Sequence, residues 1–264
     1  MKKASFSLFI IFIFSLKSFA GWMFIEKKTN SQGLTTNDTI VVQNNKMRSG
    51  GKEATYIYDL DLQKVTVMNN FYKTYWTGSP EAYREGVIAG LKEQMEVIVN
   101  RLPKEKQAAA RSRLEGIMSA MSAPKESAPK KEVVDVKKII DKIMVLGYNT
   151  QRYELWMEGK KKISIWISEK ILINSDFNLD KFNQLMQRLM SNNPKLAIKS
   201  SSEYIAILRK GYPLKSTEYL GNGEVKSEVV YANKQNYAPV LFSPGPSFKA
   251  VPLDVLIKSM KIKG

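Results

Sequence analysis

The stretch ATYIYDLDLQKVTVMNNFYKTYW, residues 54–76, decides the fold class of this chain. Its apolar and polar residues alternate with a period of two, first over Ala54–Asp59 and then over Lys64–Met68. Turn-forming residues separate these runs and precede a third run, Phe71–Trp76. Short alternating runs that are joined by tight turns predict an antiparallel β-meander.

The same period continues on both sides of this stretch. Val133–Ile140 is the one ambiguous segment, because its apolar residues would also suit a helix, and we interpret it as a strand. The predicted strands outside residues 54–76 are Trp22–Lys28, Thr35–Val42, Lys46–Arg48, Val133–Ile140, Arg152–Met157, Lys162–Ser168, Tyr212–Leu220 and Glu224–Asn233.

The period changes to that of a helix after Ser79. Ser79 at the N-cap and Pro80 at the first helical position are a strong helix start. An apolar stripe follows and Pro103 separates a second helix, with Leu114 and Met118 among its apolar residues. The stripe of the first helix consists of Tyr83, Val87, Leu91, Met95, Ile98 and Leu102. Further helices are predicted over Leu179–Met190, Tyr204–Leu208 and Leu253–Met260.

These elements predict one α+β domain over residues 21–264. A helical insertion, residues 79–121, and a flexible connector, residues 122–132, interrupt a single antiparallel sheet. The connector is predicted from its small and charged residues and its two prolines.

The first twenty residues have the pattern of a secretory signal peptide. Lys2 and Lys3 precede an apolar run, and Ser18 and Ala20 place small residues at the −3 and −1 positions of a cleavage site. The apolar run is shorter than the roughly 20 residues of a membrane-spanning helix. We therefore expect cleavage after Ala20 and a periplasmic protein, which is not a lipoprotein because the chain has no cysteine.

The charge favours anionic partners. The net charge is +16, and removal of the signal's three lysines lowers it to +13. A basic excess suits nucleic acids or anionic lipid surfaces. No arginine-aromatic RNA-binding motif or helix-turn-helix pattern is present, so we expect no nucleic acid. An anionic membrane surface is the candidate partner, and the alternative is a generally lysine-rich surface that keeps the protein soluble.

Composition removes most enzyme mechanisms. With no His and no Cys, the chain cannot build a Ser-His-Asp triad, a Cys-His pair or the usual zinc site. We expect no metal and no cofactor. The close acidic pairs, Asp59 with Asp61 and Asp176 with Asp180, lie in turn or helix-cap contexts, where Asp bonds to the backbone.

A series of short motifs, in order, resembles a family of exported bacterial proteins that is defined as a domain of unknown function. That family is similar to the carrier and acceptor proteins of outer-membrane lipoprotein sorting (LolA/LolB-like). The motifs are Lys46-Met47-Arg48, Tyr58-Asp59-Leu60, Val65-Thr66-Val67-Met68, Tyr75-Trp76, Leu102-Pro103-Lys104-Glu105-Lys106, Leu146-Gly147-Tyr148, Tyr153-Glu154-Leu155, Ile165-Trp166-Ile167-Ser168, Gly211-Tyr212-Pro213-Leu214 and Leu241-Phe242-Ser243-Pro244.

The resemblance implies a curved antiparallel sheet, an incomplete β-barrel, with helices across its open side. In the carriers, the space between sheet and helices receives lipid acyl chains. The insertion here is longer than the carriers' lid elements, and no position matches a specific functional arginine of the carriers.

A concave apolar pocket under amphipathic helices is the usual form of a site for lipophilic ligands. The candidate lining residues, which would equally fill a solid core, are Tyr56, Tyr58, Val65, Val67, Tyr153, Leu155, Ile163 and Ile165 on strands, with Leu91, Met95 and Met118 on the helices. Lys160, Lys161 and Lys162, beside a predicted hairpin turn, are candidates for contact with lipid phosphates or a solvated turn.

The leading hypothesis is therefore a non-enzymatic periplasmic binding protein for a lipid, a lipoprotein acyl chain or another apolar ligand. The alternative is a cell-envelope interaction module with a solid core, which meets an anionic membrane or a protein through its basic surface. A carboxylate-dependent hydrolase is the third hypothesis, and it requires two acids that face one cleft.

Overall fold

The structure is a computed structural model that describes residues 20–122, 133–141, 143–189, 198–221 and 223–260. The predicted signal residues before Ala20 and nearly all of the predicted connector lie outside the described residues. No helix in the described ranges is long and apolar enough to span a membrane.

The described residues form fourteen strands and five α-helices. The strands are β1 (Gly21–Thr29), β2 (Thr35–Gln43), β3 (Lys46–Gly50), β4 (Ala54–Asp59), β5 (Lys64–Asn69), β6 (Thr74–Gly78), β7 (Val134–Ile139), β8 (Met144–Val145), β9 (Tyr148–Asn149), β10 (Gln151–Met157), β11 (Lys160–Ser168), β12 (Tyr212–Leu220), β13 (Gly223–Gln235) and β14 (Lys249–Ala250). The helices are α1 (Pro80–Asn100), α2 (Lys104–Ser122), α3 (Leu179–Leu189), α4 (Ser202–Leu208) and α5 (Leu253–Ser259), with a 3-10 helix at Pro239–Phe242.

Twelve strands form one sheet in the order β14-β6-β5-β4-β3-β2-β1-β13-β12-β11-β10-β7, and β8 and β9 form a separate hairpin. Every pairing is antiparallel except that of β14 with β6. The sheet is open, with β14 and β7 at its two edges. The protein is thus an α+β fold built on a mostly antiparallel sheet, as the period-two pattern predicts.

Tight turns set the register of neighbouring strands. Asn44 and Asn45 have φ of 50° and 56°, and Glu158 and Gly159 have φ of 54° and 69°. Two successive residues with positive φ form the hairpin turn whose twist matches that of the flanking strands. The predicted strand Phe71–Trp76 starts later than expected, at Thr74, because the turn after β5 extends through Lys73.

One face of the sheet carries the main core. Register places Phe24, Ile40, Val67 and their neighbours on the face that packs against the helices. This first cluster also contains Leu185 of α3 and Leu256 of α5, both completely buried, and so joins the sheet to the helices. A second cluster lies on β7, β10 and β11 and is covered by Ile207 of α4.

The opposite face of β2–β5 is covered by the C-terminal segment. Gln43 and Tyr237, both 3% exposed, bond to each other through two hydrogen bonds, and Arg48 Nη1 donates to the Leu241 carbonyl at 2.8 Å. The segment then reaches the sheet edge, where β14 pairs with β6, and returns to the helical face as α5.

Candidate functional site

The helical insertion forms a hairpin whose two helices pack against each other. Ser79 Oγ accepts a hydrogen bond from the Ala82 amide and caps α1, as predicted. At the other end, Gln107 Nε2 donates to the carbonyls of Leu102 (2.9 Å) and Asn100 (3.3 Å). These bonds fix the turn between α1 and α2 and hold the two helices side by side.

The first half of α1 is anchored on the body of the protein. A Cβ atom added to Gly90 would lie 2.7 Å from Ile257 Cγ2 of α5, and one added to Gly86 would collide with Leu253. These glycines therefore permit close packing of α1 on α5. Glu81 in the first turn also pairs with Arg188 of α3.

An apolar cleft of about 600 Å3 lies between the second half of α1 and α2. Val99 and Leu114 lie in it and are buried, whereas Ile98 and Ile117 are 61% and 47% exposed. Charged side chains also line it. Its lining consists of Met95, Ile98, Val99, Leu102, Glu105, Lys106, Ala109, Ala110, Arg113, Leu114 and Ile117.

This cleft differs from the pocket that the sequence predicts. Of the three predicted helix residues, Met95 lines the cleft, Leu91 is half-buried and Met118 is buried without lining the cleft. Ile98 belongs to the apolar stripe that the sequence predicts for α1, but it is exposed beside the cleft between α1 and α2. The apolar stripes of both helices, taken together, could have indicated the cleft.

The predicted strand residues lie in the two core clusters. Val65 and Val67 are completely buried in the first cluster. Tyr153, Leu155, Ile163 and Ile165 belong to the second cluster and are at most 3% exposed. The structure thus places the predicted pocket residues in two packed cores and on the helical hairpin.

Tyr56 and Tyr58 lie at the margin of the first cluster, in an aromatic group. Their rings stack at 6.4 Å, and Tyr58 meets Phe182 of α3 edge to face at 6.0 Å. Burial raises the pKa of the Tyr58 hydroxyl well above its usual range, with a smaller contribution from Tyr56. The Tyr58 hydroxyl is therefore a neutral packing group at physiological pH.

A polar cleft of about 610 Å3 lies where the β2–β3 turn meets the segment before α3. Asp61, Asp176 and Asp180 all line it. The Asp176 carboxylate accepts a hydrogen bond from the Asn44 amide, and burial raises its pKa. Asp61 accepts a hydrogen bond from the Lys181 ammonium, and Asp180 accepts one from the Arg209 guanidinium.

Each of the three acids that line the polar cleft accepts a hydrogen bond. The hydrogen bond from Lys181 lowers the pKa of Asp61, which also accepts from the Asn45 amide group. Asp59, the remaining acid of the predicted pairs, accepts from the backbone of Asp61 and Leu62 in the β4–β5 turn. No group of three or more acidic side chains in the described ranges could hold a metal ion.

The three predicted anion-contact lysines begin β11. Lys160 is exposed, whereas Lys161 and Lys162 are half-buried. The Lys161 ammonium lies 3.5 Å from Glu154 and 4.6 Å from the centroid of the Tyr219 ring, and its pKa is raised chiefly by the hydrogen bond to Tyr219. One of the three lysines is thus engaged on the sheet surface.

Solved structures with distant likeness include PNGF-II, with a TM-score of 0.38, 8% identity, and coverage of 88% of this chain and 31% of that chain. MucB in complex with MucA(peri) gives a TM-score of 0.35 and 10% identity, over 88% of this chain and 57% of that chain. The Pseudomonas aeruginosa MucA/MucB complex gives a TM-score of 0.36 and 10% identity, over 89% of this chain and 59% of that chain. The chain therefore spans less than a third of PNGF-II and less than three fifths of MucB, and all three TM-scores are too low to establish a shared fold.

No curated protein matches the sequence. A family model does match: that of DUF4412, a domain of unknown function, over residues 85–248. The match starts within α1, includes the rest of the helical hairpin with its cleft, and ends after the 3-10 helix, so it covers more than half of the chain. This chain belongs to the DUF4412 family.

Proposed function

We propose that this protein is an exported, non-enzymatic binding protein that holds a lipid acyl chain in the apolar cleft between α1 and α2. One observation carries the proposal. The cleft has a buried apolar floor, with Val99 and Leu114, and apolar lips, Ile98 and Ile117, that face solvent. Exposed apolar side chains beside a cleft are typical of a binding site.

The size and chemistry of the cleft suit a flexible chain. Its volume of about 600 Å3 lies within the roughly 300–1,000 Å3 that is usual for ligand sites. Most of its lining side chains are aliphatic and offer no hydrogen-bond partner, which favours a ligand without polar groups along its length. Met95 adds an unbranched, adaptable side chain that packs well against ligands of variable shape.

The charges of the cleft favour an anionic head group. Lys106 and Arg113 line it together with a single acid, Glu105. Two cations beside one carboxylate leave a local positive excess, in keeping with the net charge of +16 of the whole chain. A fatty acid or an anionic lipid would therefore bind with its chain on Val99 and its head group near Arg113.

The sequence supports the two remaining parts of the proposal, which are export and a non-enzymatic role. The signal pattern of residues 1–20 supports export, and envelope lipids are accessible to an exported protein. The absence of His and Cys from the chain supports a role in binding, because the common nucleophilic and acid-base arrangements need those side chains.

A titration of the purified protein with a fluorescent fatty acid tests the proposal. We expect saturable binding, and the double variant Ile98→Glu with Ile117→Glu should weaken it by about tenfold or more, because each carboxylate would meet the chain in an apolar site. Both positions are exposed, so the variant should keep its fold. Leu34→Glu is the matched control, since Leu34 is 63% exposed in the β1–β2 loop, and should bind like the parent.

Native mass spectrometry of protein purified from its own source gives the second arm. A bound mass that is released on denaturation and identified as a lipid would support the proposal. An unliganded mass together with no fatty-acid binding would overturn it. Salt-sensitive binding to anionic vesicles without fatty-acid uptake would favour the alternative of an envelope interaction module.

A further inference from the structure

The edge strand β7 is open to solvent. Within the residues that the structure describes, β7 pairs only with β10 and ends the sheet. Its four consecutive residues Asp135, Val136, Lys137 and Lys138 are all exposed. The backbone of an edge strand presents unpaired N–H and C=O groups, and natural proteins normally protect such an edge against pairing.

The protection of β7 is slight. The strand contains no proline, and its pairing with β10 continues from Val134 to Ile139 without a bulge. Its protective features are the two lysines, and Lys137 is drawn over the Trp156 ring, with its ammonium 4.3 Å from the ring centroid. A regular, unbent edge of this kind is suited to pairing with another strand.

The register with β10 determines which β7 side chains share a face. Val136 pairs with the core residue Leu155, so Val134, Val136 and Lys138 belong to the helical face. Asp135 and Lys137 pair with Trp156 and Glu154 on the opposite face. Two copies that extend one sheet must keep these faces aligned, so a residue with an odd number pairs only with an odd-numbered residue of the other copy.

This restriction leaves few symmetric registers. With Val136 opposite Val136 of the second copy, Asp135 meets Lys137 on both sides of the two-fold axis. A shift in one direction places Lys137 opposite Lys137, and a shift in the other places Asp135 opposite Asp135. Opposite charges across a strand pair stabilise it and like charges destabilise it. Neither Asp135 nor Lys137 forms an ion pair within the described part of the chain.

We propose that a second copy of this chain pairs antiparallel with β7, with Val136 on the two-fold axis and Asp135 opposite Lys137. The sheet would then continue from one copy into the other. A closed two-fold contact of this type pairs β7 of both copies and leaves neither of these edges unpaired. The partner is another copy because the strand is complementary to itself in charge and places Val136 opposite Val136. The inference is independent of the proposed ligand site, which lies on the helical hairpin.

Sedimentation equilibrium of the purified protein tests this pairing. We expect a monomer–dimer equilibrium with a dissociation constant weaker than about 1 μM, because the contact is smaller than a standard interface. Lys137→Glu should raise that constant by about tenfold, since symmetry introduces the like-charge pair twice. The swap Asp135→Lys with Lys137→Glu should restore dimerisation, because the two positions then again carry opposite charges.

Two controls separate this register from a non-specific contact. Lys138→Glu changes the same charge on the same strand, but Lys138 would face Val134, so the dissociation constant should change by less than about twofold. Val136→Cys should form a disulfide-linked dimer on oxidation, because directly opposite Cβ atoms lie about 4.5–5.5 Å apart and a small backbone adjustment brings them to the roughly 3.5–4.5 Å of a disulfide. Val230→Cys, at a position on β13 that is 45% exposed, should not form a disulfide-linked dimer.

A protein that stays monomeric over the whole concentration range would overturn the proposal. A dimer that is unaffected by Lys137→Glu, or that the charge swap does not restore, would also overturn it. Circular dichroism of each variant would show whether the fold is retained, and the Val136→Cys cross-link gives an answer without any change of charge.

Discussion

Arg188 and Glu81 form a bidentate ion pair on the helical face. Arg188 Nε donates to Glu81 Oε1 at 2.6 Å and Nη2 donates to Oε2 at 3.0 Å. The pair joins the last turn of α3 to the first turn of α1. Its hydrogen bond lowers the pKa of the Glu81 carboxyl below the usual 4.5. Both side chains are about 40% exposed, so solvent screening keeps the contribution small.

We expect Glu81→Gln to lower the free energy of unfolding by about 0.5 kcal/mol at pH 7. A carboxyl whose pKa is lower in the folded state stabilises the fold fully above its unfolded pKa. The difference between variant and parent should therefore be constant above about pH 5 and shrink as the pH falls below 4.5. Urea unfolding at several pH values measures it. The exposed Glu85→Gln is the control, and an equal effect there would contradict the assignment.

The hydrogen-bond partners of individual Asp residues are only partly predictable from the sequence. The sequence predicts that the acids of both close pairs serve the backbone, and Asp59 and Asp176 do accept backbone N–H groups. Asp61 and Asp180 instead accept from the side chains of Lys181 and Arg209, because Asn178 bonds to the amides at the start of α3. The partner of Asp176 is Asn44, a residue 132 positions away in sequence. A local pattern predicts that an Asp will satisfy a donor, but only the tertiary structure decides which donor it meets.

At the scale of the element, α1 depends on its N-cap. Ser79 Oγ accepts from the Ala82 amide at 3.2 Å. We expect Ser79→Ala to cost about 1 kcal/mol of unfolding free energy, because that amide loses its acceptor. Ser79→Asp should retain most of the stability, since its carboxylate caps equally well. Urea unfolding curves provide the measurement, and equal losses in both variants would show that the cap does not stabilise α1.

Alanine substitutions at two glycines, one in α1 and one in α2, should change the stability of the protein in opposite directions. Gly90→Ala should destabilise the protein by about 1–3 kcal/mol, because the new methyl group would press on Ile257 Cγ2 at 2.7 Å. Gly116→Ala should stabilise it by up to about 1 kcal/mol, because no atom lies within 4 Å of the added carbon and alanine favours the helix.

Thermal or urea unfolding of both glycine variants gives the comparison. Opposite signs would establish that α1 packs on α5 whereas the face of α2 at Gly116 is open. Equal stabilisation in both variants would contradict the close packing of α1 against Ile257.

At the scale of the whole molecule, the C-terminal segment covers the face of β2–β5 that lies away from the helices and bonds to it. Gln43 Nε2 donates to the Tyr237 carbonyl at 3.1 Å, and the Tyr237 amide donates to Gln43 Oε1 at 2.7 Å. All of these atoms are buried, so the two bonds replace water entirely. The segment thus completes a fold whose sheet residues Val41 and Met68 are buried on the face away from the helices.

We expect Gln43→Ala to cost about 1–3 kcal/mol, because it leaves two buried backbone groups of Tyr237 without partners. Amide hydrogen exchange should accelerate at Tyr237 and in the following 3-10 helix, while β10 and β11 keep their protection. Gln32→Ala, in the exposed β1–β2 turn, is the control. Unchanged exchange at Tyr237 would contradict this role for Gln43.

The predicted elements and the observed ones agree best where a local signal is strong. The strand Ala54–Asp59 has the predicted bounds, and Pro80 starts α1 as predicted. Val134–Ile139 is a strand although its sequence would also suit a helix, because it pairs with β10 along its whole length. The late start of β6 at Thr74 has no such signal, since Phe71 and Tyr72 resemble strand residues but remain exposed in the turn.

The sequence by itself determined the α+β class, most strand and helix positions and the capped start of α1, because alternation, turn residues and caps act between near neighbours. Only the tertiary structure decided that the predicted pocket residues Val65 and Leu155 lie in separate packed cores, that the cleft lies between α1 and α2, and that β7 is an open edge. These features depend on how distant segments pack and on strand order, and no local pattern records either.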